Sequence, residues 1–215
     1  MHRAEEDYLK IIFKLTTEEN RNLVKTNEIT EITGYTDQTV NEMVKRLEKK
    51  KMLIFYPYKG VSLTSKGEKE AKRLVRNHRL WEVFLVEKLG YSWADVHDEA
   101  ENLEHASSNL LMDQIDQFLN YPQYCVHGNA IPRKTGEMGV TPQQSLFSGE
   151  EEKRYTVKRV LDQAQFLQYL NQEKITLGTE VKIIKKDEFN HMLTIETNGK
   201  EINISQQIAE KIFVD

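Results

Sequence analysis

Residues 97–105 read His-Asp-Glu-Ala-Glu-Asn-Leu-Glu-His: two histidines and four carboxylates in nine residues, with no proline or glycine to interrupt a helix. On an α-helix Glu101, Glu104 and His105 fall at i, i+3 and i+4 and so share a face, with His97 one turn before Glu101. Two carboxylates and an imidazole converging in this way repel unless a cation lies between them. The stretch therefore reads as half of a divalent-metal site. The competing reading is a solvated charged face, which is what a charge run usually is.

The N-terminal third supplies a different function. Tyr8, Leu9, Ile12, Phe13 and Leu15 recur at helical spacing, with Asp7 at the edge of that stripe. Residues 24–33 predict a short helix, Gly34-Tyr35 breaks it, and Thr36 or Asp37 can cap a basic helix over residues 38–50. Short helix, glycine turn and amphipathic basic helix make a helix-turn-helix. Thr36, Gln38, Thr39, Asn41 and Glu42 would face base edges, with Lys45 and Arg46 on phosphates. Residues 53–56 and 61–63 then read as two strands around a Pro57–Gly60 turn, a wing with Tyr56, Tyr58 and Lys59 at its tip. Charge agrees: residues 39–79 hold twelve Lys or Arg against four Glu, net +8 in a chain of net −4. A basic patch on an acidic protein points to a polyanion.

Ser65 and Glu68, three apart, resemble a capping box for a long helix running to Leu89 and stopped by Gly90. That helix carries His78 and Glu82 four apart, on one face. Residues 92–95 start the helix that contains the 97–105 cluster, and a further apolar helix holds Leu110, Leu111, Ile115, Phe118 and Leu119. Residues 123–149 read as a linker that opens with Cys125-Val126-His127, a spacing weak by itself as a metal signal. From Arg154 on, five short strands and a short helix are expected, with Asn198-Gly199 as a tight hairpin turn, making a small barrel.

No apolar run reaches the roughly 18 residues a membrane span needs. The polar start Met1–Asp7 lacks the apolar core of a signal peptide. The single cysteine, Cys125, excludes an internal disulfide. A cytoplasmic protein without a membrane partner is expected.

Taken together, Glu6-Asp7-Tyr8-Leu9, the recognition helix 39–48, Asn77-His78-Arg79-Leu80-Trp81-Glu82, residues 96–105 and the strand region 177–184 resemble the diphtheria toxin repressor family of metal-dependent transcriptional regulators. The likeness is closest to the manganese-responsive branch and spans essentially the whole chain. It implies a mainly α fold with a C-terminal β barrel: a winged helix-turn-helix over residues 1–72, a helical dimerisation and metal-binding domain over 73–140, a linker over 141–153 and an SH3-like domain over 154–215. It also implies a homodimer on double-stranded operator DNA.

The resemblance further implies a primary metal site of Asp7, Glu101, Glu104 and His105, with His78 adjacent. Iron-responsive relatives carry Met and Cys at the positions of Asp7 and Glu101. Carboxylates there suit Mn²⁺, since hard oxygen ligands favour it over later, softer ions. Lys10 stands where some manganese regulators use a carboxylate to help hold a second ion, which argues against a binuclear pair at this site. A second site is implied from Glu82, Cys125, His127 and Asp162, with His97 as an alternative ligand and Fe²⁺ or Zn²⁺ as alternative ions; the cysteine favours Zn²⁺. The expected function is a Mn²⁺-activated, non-enzymatic repressor of metal-uptake genes. A metal-independent winged-helix regulator is the first alternative, and a metal-dependent hydrolase ranks below it.

Overall fold

The computed structural model describes residues 1–18 and 21–215. The chain divides into two compact units: residues 1–78, 104–107 and 132–137 form the first, and residues 79–103, 108–131 and 138–215 the second.

In the first unit, α1 (Arg3–Glu18), α2 (Thr26–Thr33) and α3 (Asp37–Lys49) are followed by β1 (Leu53–Tyr56) and β2 (Gly60–Leu63). The apolar stripe of α1 is its buried face: Tyr8, Leu9, Ile12 and Phe13 are all inside, with Ile29, Val40, Val44, Leu47, Leu53 and Val61 contributed by the elements that follow. Each such side chain contributes about 1.5–3 kcal/mol by leaving water. α1 packs on α2 and β2, while α3 packs on α2 and β1. Gly34, at φ 69°, ends α2 by donating its N–H to Thr30 O. Thr36 starts α3, its hydroxyl accepting from Thr39 N at 3.2 Å. β1 and β2 pair antiparallel from Leu53↔Leu63 to Tyr56↔Gly60. Val24 adds to the ribbon through two backbone bonds to Val61. Only glycine fits at position 60, where φ is 122° and a Cβ would stand 2.1 Å from Val24 O.

α4 (Ser65–Leu89) enters from β2. Its cap is Thr64, not the expected Ser65: Thr64 Oγ1 accepts from Gly67 N at 3.1 Å. Thr64 is still extended, its own N–H bonded to Met52 O, so the helix can begin only after it.

In the second unit α4 continues to Leu89, where Gly90 (φ 74°) stops it. Residues 92–95 turn, with Asp95 N on Ser92 O, so α5 (His97–Ala106) begins later than expected. α6 (Asn109–Phe118) is capped by Ser108. Leu80, Val83, Met112, Ile115, Leu119, Cys125 and Ile131 form one apolar cluster, and Leu85, Val96 and Ala100 a second.

A 3₁₀ turn (Leu146–Ser148) precedes β3 (Arg154–Val160), α7 (Ala164–Gln172), β4 (Glu180–Asp187), β5 (Met192–Thr197), β6 (Lys200–Ser205), α8 (Gln206–Ala209) and β7 (Ile212–Val214). The strands make one antiparallel sheet in the order β6-β5-β4-β3-β7. What the structure shows of the expected barrel is this five-stranded sheet. β7 is three residues long and pairs with β3, and among the described residues no ladder joins it to β6. Asn198 and Gly199, at φ 51° and 73°, form the tight β5–β6 turn. Leu146, Val157, Leu167, Leu170, Val181, Ile183, Leu193, Ile195 and Ile212 fill the core beneath the sheet.

Candidate metal centres and DNA-facing surface

In the first unit, α1 and the end of α5 bring three expected ligands together. His105 Nε2 lies 2.9 Å from Asp7 Oδ1 and 3.3 Å from Glu104 Oε1. The nitrogen is buried, and among the described residues it makes no hydrogen bond of acceptable geometry. Close approach of two carboxylate oxygens to an imidazole nitrogen without hydrogen-bond alignment is what a shared cation would organise. Glu101 stands one turn ahead on the same helix. His105's other nitrogen is fixed: Nδ1 is 2.6 Å from Glu6 Oε2, while Glu6 Oε1 accepts from Arg73 at 3.1 Å. A carboxylate behind a histidine in this way sets the tautomer that leaves Nε2 as a ligand. Glu6, invisible to motif spacing, is therefore part of the site.

Lys10 is the second residue that spacing did not place here. Its ammonium donates to both oxygens of Glu104, at 2.7 and 2.6 Å. His78 Nδ1 approaches Glu104 Oε2 to 2.6 Å, and Asn77 donates to the Glu104 carbonyl at 3.1 Å. Glu104 itself is fully buried. A buried carboxylate needs compensating charge, and Lys10 supplies it within the protein.

The second set lies in the second unit. Cys125 N bonds Asn129 O and Gly128 N bonds Cys125 O, a tight turn that presents Cys125 and His127 beside Glu82 of α4. His127 is fully buried, and its Nε2 pairs with the Trp93 carbonyl at 2.7 Å. Its Nδ1 is 3.2 Å from Glu82 Oε1 and makes no hydrogen bond among the described residues. Burial and the neighbouring Glu82 push the Cys125 thiol up. Burial alone would lower His127, but Cys125 and Glu82 outweigh it and push it up to about 11. The pocket thus favours a positive charge, whether a proton or a divalent ion. Asp162 pairs instead with His97, Oδ2 to Nδ1 at 2.5 Å. Burial would raise the Asp162 carboxyl, and the bond to His97 brings it below its ordinary value.

Every expected DNA-facing residue is exposed: Thr36, Gln38, Thr39, Asn41, Glu42, Lys45 and Arg46 on and before α3, Tyr58 and Lys59 at the wing. Several of them are also held locally. Thr36 serves as the α3 cap, Gln38 donates to Glu42 at 3.1 Å, and Arg46 Nε lies 2.5 Å from Glu5. Glu5, fully buried on α1, also takes Lys50 Nζ at 2.7 Å on each oxygen.

Known families match the chain along three stretches. The model of the iron-dependent repressor N-terminal DNA-binding domain matches residues 1–61, that of the iron-dependent repressor metal-binding and dimerisation domain residues 64–133, and the FeoA domain residues 145–215. An uncharacterized HTH-type transcriptional regulator of Methanocaldococcus jannaschii is 34% identical over 119 residues, which are 55% of this chain and 94% of that protein. The chain belongs to the iron-dependent repressor family. Within this family, the HTH-type transcriptional regulator MntR of Bacillus subtilis is 34% identical over 116 residues, 54% of this chain and 80% of that one. A manganese-dependent transcriptional repressor solved with manganese superposes at a TM-score of 0.89, with 34% identity and 98% of both chains covered. ScaR solved with bound Cd²⁺ superposes at 0.85, with 37% identity and 98% of both chains covered.

Proposed function

We propose that this member of the iron-dependent repressor family is a Mn²⁺-activated transcriptional repressor. It binds operator DNA of metal-uptake genes as a homodimer in the cytoplasm and catalyses no reaction. The observation that carries the reading is the approach of Asp7 and Glu104 to the buried, unbonded Nε2 of His105. The manganese-bound repressor that matches 98% of the chain supports the choice of ion.

In this reading Asp7, Glu101, Glu104 and His105 form the primary site with His78 beside it, and Glu82, Cys125, His127 and Asp162 supply a second. When bound, the divalent ion supplies the positive charge that lets these carboxylates stay ionised side by side. The protein's own residues do the rest. Glu6 holds His105 in one tautomer. α1 places Asp7 against α5, and two residues earlier Glu5 grips Arg46 of the recognition helix and Lys50 at its end. Seating α1 therefore sets the position of α3. Thr36, Gln38, Thr39, Asn41 and Glu42 then read bases, with Lys45, Arg46, Tyr58 and Lys59 along the backbone. The winged helix-turn-helix occupies residues 1–72, the helical dimerisation and metal region 73–140, and an SH3-like domain 154–215. The coupling of metal to DNA falls in the usual allosteric range of about 1–3 kcal/mol.

The test is an operator gel shift across Mn²⁺, Fe²⁺ and Zn²⁺ with a chelator control. Binding should require added metal, and Asp7→Ala should lose that requirement's response while keeping its helical content. Operator binding that is equal with metal and with chelator would replace this reading with a metal-independent regulator.

A further inference from the structure

The turn before α5 is built into the core of the C-terminal sheet. Ala94, 3% exposed, belongs to the apolar cluster that holds Val157, Leu167, Leu170, Val181 and Ile212, and Trp93 packs against that cluster. The Trp93 indole N–H donates to Asn171 Oδ1 at 2.6 Å, which ties the turn to the last turn of α7. An indole has one donor and no acceptor, so this bond uses its whole polar capacity. The turn is also closed on itself: Ala94 N donates to Ser92 Oγ at 3.2 Å and Asp95 N to Ser92 O at 3.1 Å. Val96 follows, fully buried in one cluster with Leu85 and Ala100, and its carbonyl accepts from Ala100 N at 3.0 Å as α5 begins.

The sheet is a firm base for this contact. Gln144 O accepts from Val214 N at 2.9 Å and Ser145 bridges Phe213, so the segment ahead of β3 runs along the outer edge of β7. Arg159 is buried, donates from Nε to Pro142 O at 2.9 Å, and sits 3.4 Å from the centroid of the Phe213 ring. These contacts use backbone groups, an indole, a carboxamide, a hydroxyl, a guanidinium and apolar surface. They involve no carboxylate, thiol or imidazole, so the base does not depend on an ion.

We propose that Trp93 and Asn171 are positioning residues for the metal response. Through their bond the C-terminal sheet fixes where α5 begins, and so the phase of the helix that carries Glu101, Glu104 and His105. This rests on the reading of those three residues as ligands of an activating ion. The two side chains act through α5 and supply no ligand themselves. α5 is a single ten-residue helix, so a start free to shift moves every side chain after it. A ligand set held in one geometry binds its ion more tightly than one that must be ordered first. The C-terminal sheet thereby takes part in setting the Mn²⁺ concentration at which the protein responds.

Operator binding by the full chain, titrated with Mn²⁺, tests this. Asn171→Ala and Trp93→Phe each remove one end of the bond. Each should raise the Mn²⁺ concentration at half-maximal binding at least about threefold, while operator affinity at saturating Mn²⁺ stays at the parent level. The double variant should be no worse than either single one, because both changes remove the same bond. Asn171→Asp, which keeps the acceptor, should return the midpoint to that of the parent. A parent-like midpoint in both single variants, shifts that add in the double variant, or a loss of affinity that persists at saturating Mn²⁺ would each overturn the positioning role and leave the primary centre standing. A parent that binds operator equally with Mn²⁺ and with chelator would instead remove the activating ion, and the role of Trp93 and Asn171 would fall with it.

Discussion

The ammonium of Lys10 stands 2.7 and 2.6 Å from the two carboxylate oxygens of Glu104, inside the protein. The expected ligand is therefore already neutralised by a cation that the chain carries itself. Removing one partner of a buried ion pair costs about 3–5 kcal/mol, because the other charge is left uncompensated. Lys10→Met should accordingly destabilise the metal-free protein by roughly that amount and be rescued by Mn²⁺ to a greater degree than the parent is. Urea unfolding with and without Mn²⁺ measures both. An equal metal-induced stabilisation in parent and variant would mean that Lys10 does not compete for Glu104.

Glu5 ties α1 to the end of the recognition helix through Lys50 and Arg46. Glu5→Gln keeps the shape but loses the charge that holds both cations. Charge-assisted bonds of this kind contribute about 1.5–3 kcal/mol. The variant should bind Mn²⁺ with near-parent affinity in calorimetry yet bind operator at least about tenfold more weakly. Parent-like operator affinity would remove Glu5 from the link between α1 and α3.

Much of this was legible in the sequence. The helix-turn-helix and wing were readable because turn chemistry (Gly34, Thr36, Gly60) coincides with changes of hydrophobic period. The 97–105 ligands were readable because helical spacing fixes which side chains meet. What spacing could not supply was contact across distant segments. Glu5 and Glu6 look like helix-start acids favoured by the dipole, yet Glu5 meets residues 46 and 50 and Glu6 meets residues 73 and 105. Lys10 was legible as a charge in an unusual place, but not as the partner of residue 104. The orientation of the His127 ring depends on a backbone carbonyl, Trp93 O, which no side-chain pattern encodes. Closure of the C-terminal sheet was not legible, because strand count and hairpin signals fix pairing of neighbours, while closure depends on whether β6 and β7 meet.

Gly128 follows His127 at φ 83°, and a Cβ there would stand 2.0 Å from Lys158 O. Backbone carbonyl on one side and a left-handed φ on the other leave an alanine no relief. Gly128→Ala should lower stability by about 1–3 kcal/mol and, by shifting the turn that presents Cys125 and His127, abolish the near-ultraviolet thiolate-to-cobalt charge-transfer band expected when Co²⁺ is bound at Cys125, while sparing metal binding at Asp7, Glu104 and His105. Cobalt spectra alongside Mn²⁺ calorimetry would check it. An unchanged band would show that the ligand turn tolerates the displacement of residue 128.

At the start of α2, Glu28 caps the backbone N–H of Lys25 at 2.7 Å and pairs with Arg21 at 3.0 and 2.7 Å. The bond to Arg21, followed by the Lys25 N–H, holds its carboxyl below the ordinary 4.5 in spite of partial burial. A carboxylate whose folded pKa is depressed contributes stability that is complete above the unfolded value and disappears as pH falls through the folded one. The stability difference between parent and Glu28→Gln should thus be constant from neutrality down to about pH 5 and shrink steadily below it. Urea unfolding of both proteins across that range reads the difference directly. A gap that stays level to about pH 3 would assign the capping at α2 to a neutral hydrogen bond, and the Arg21 pair would carry no share of it.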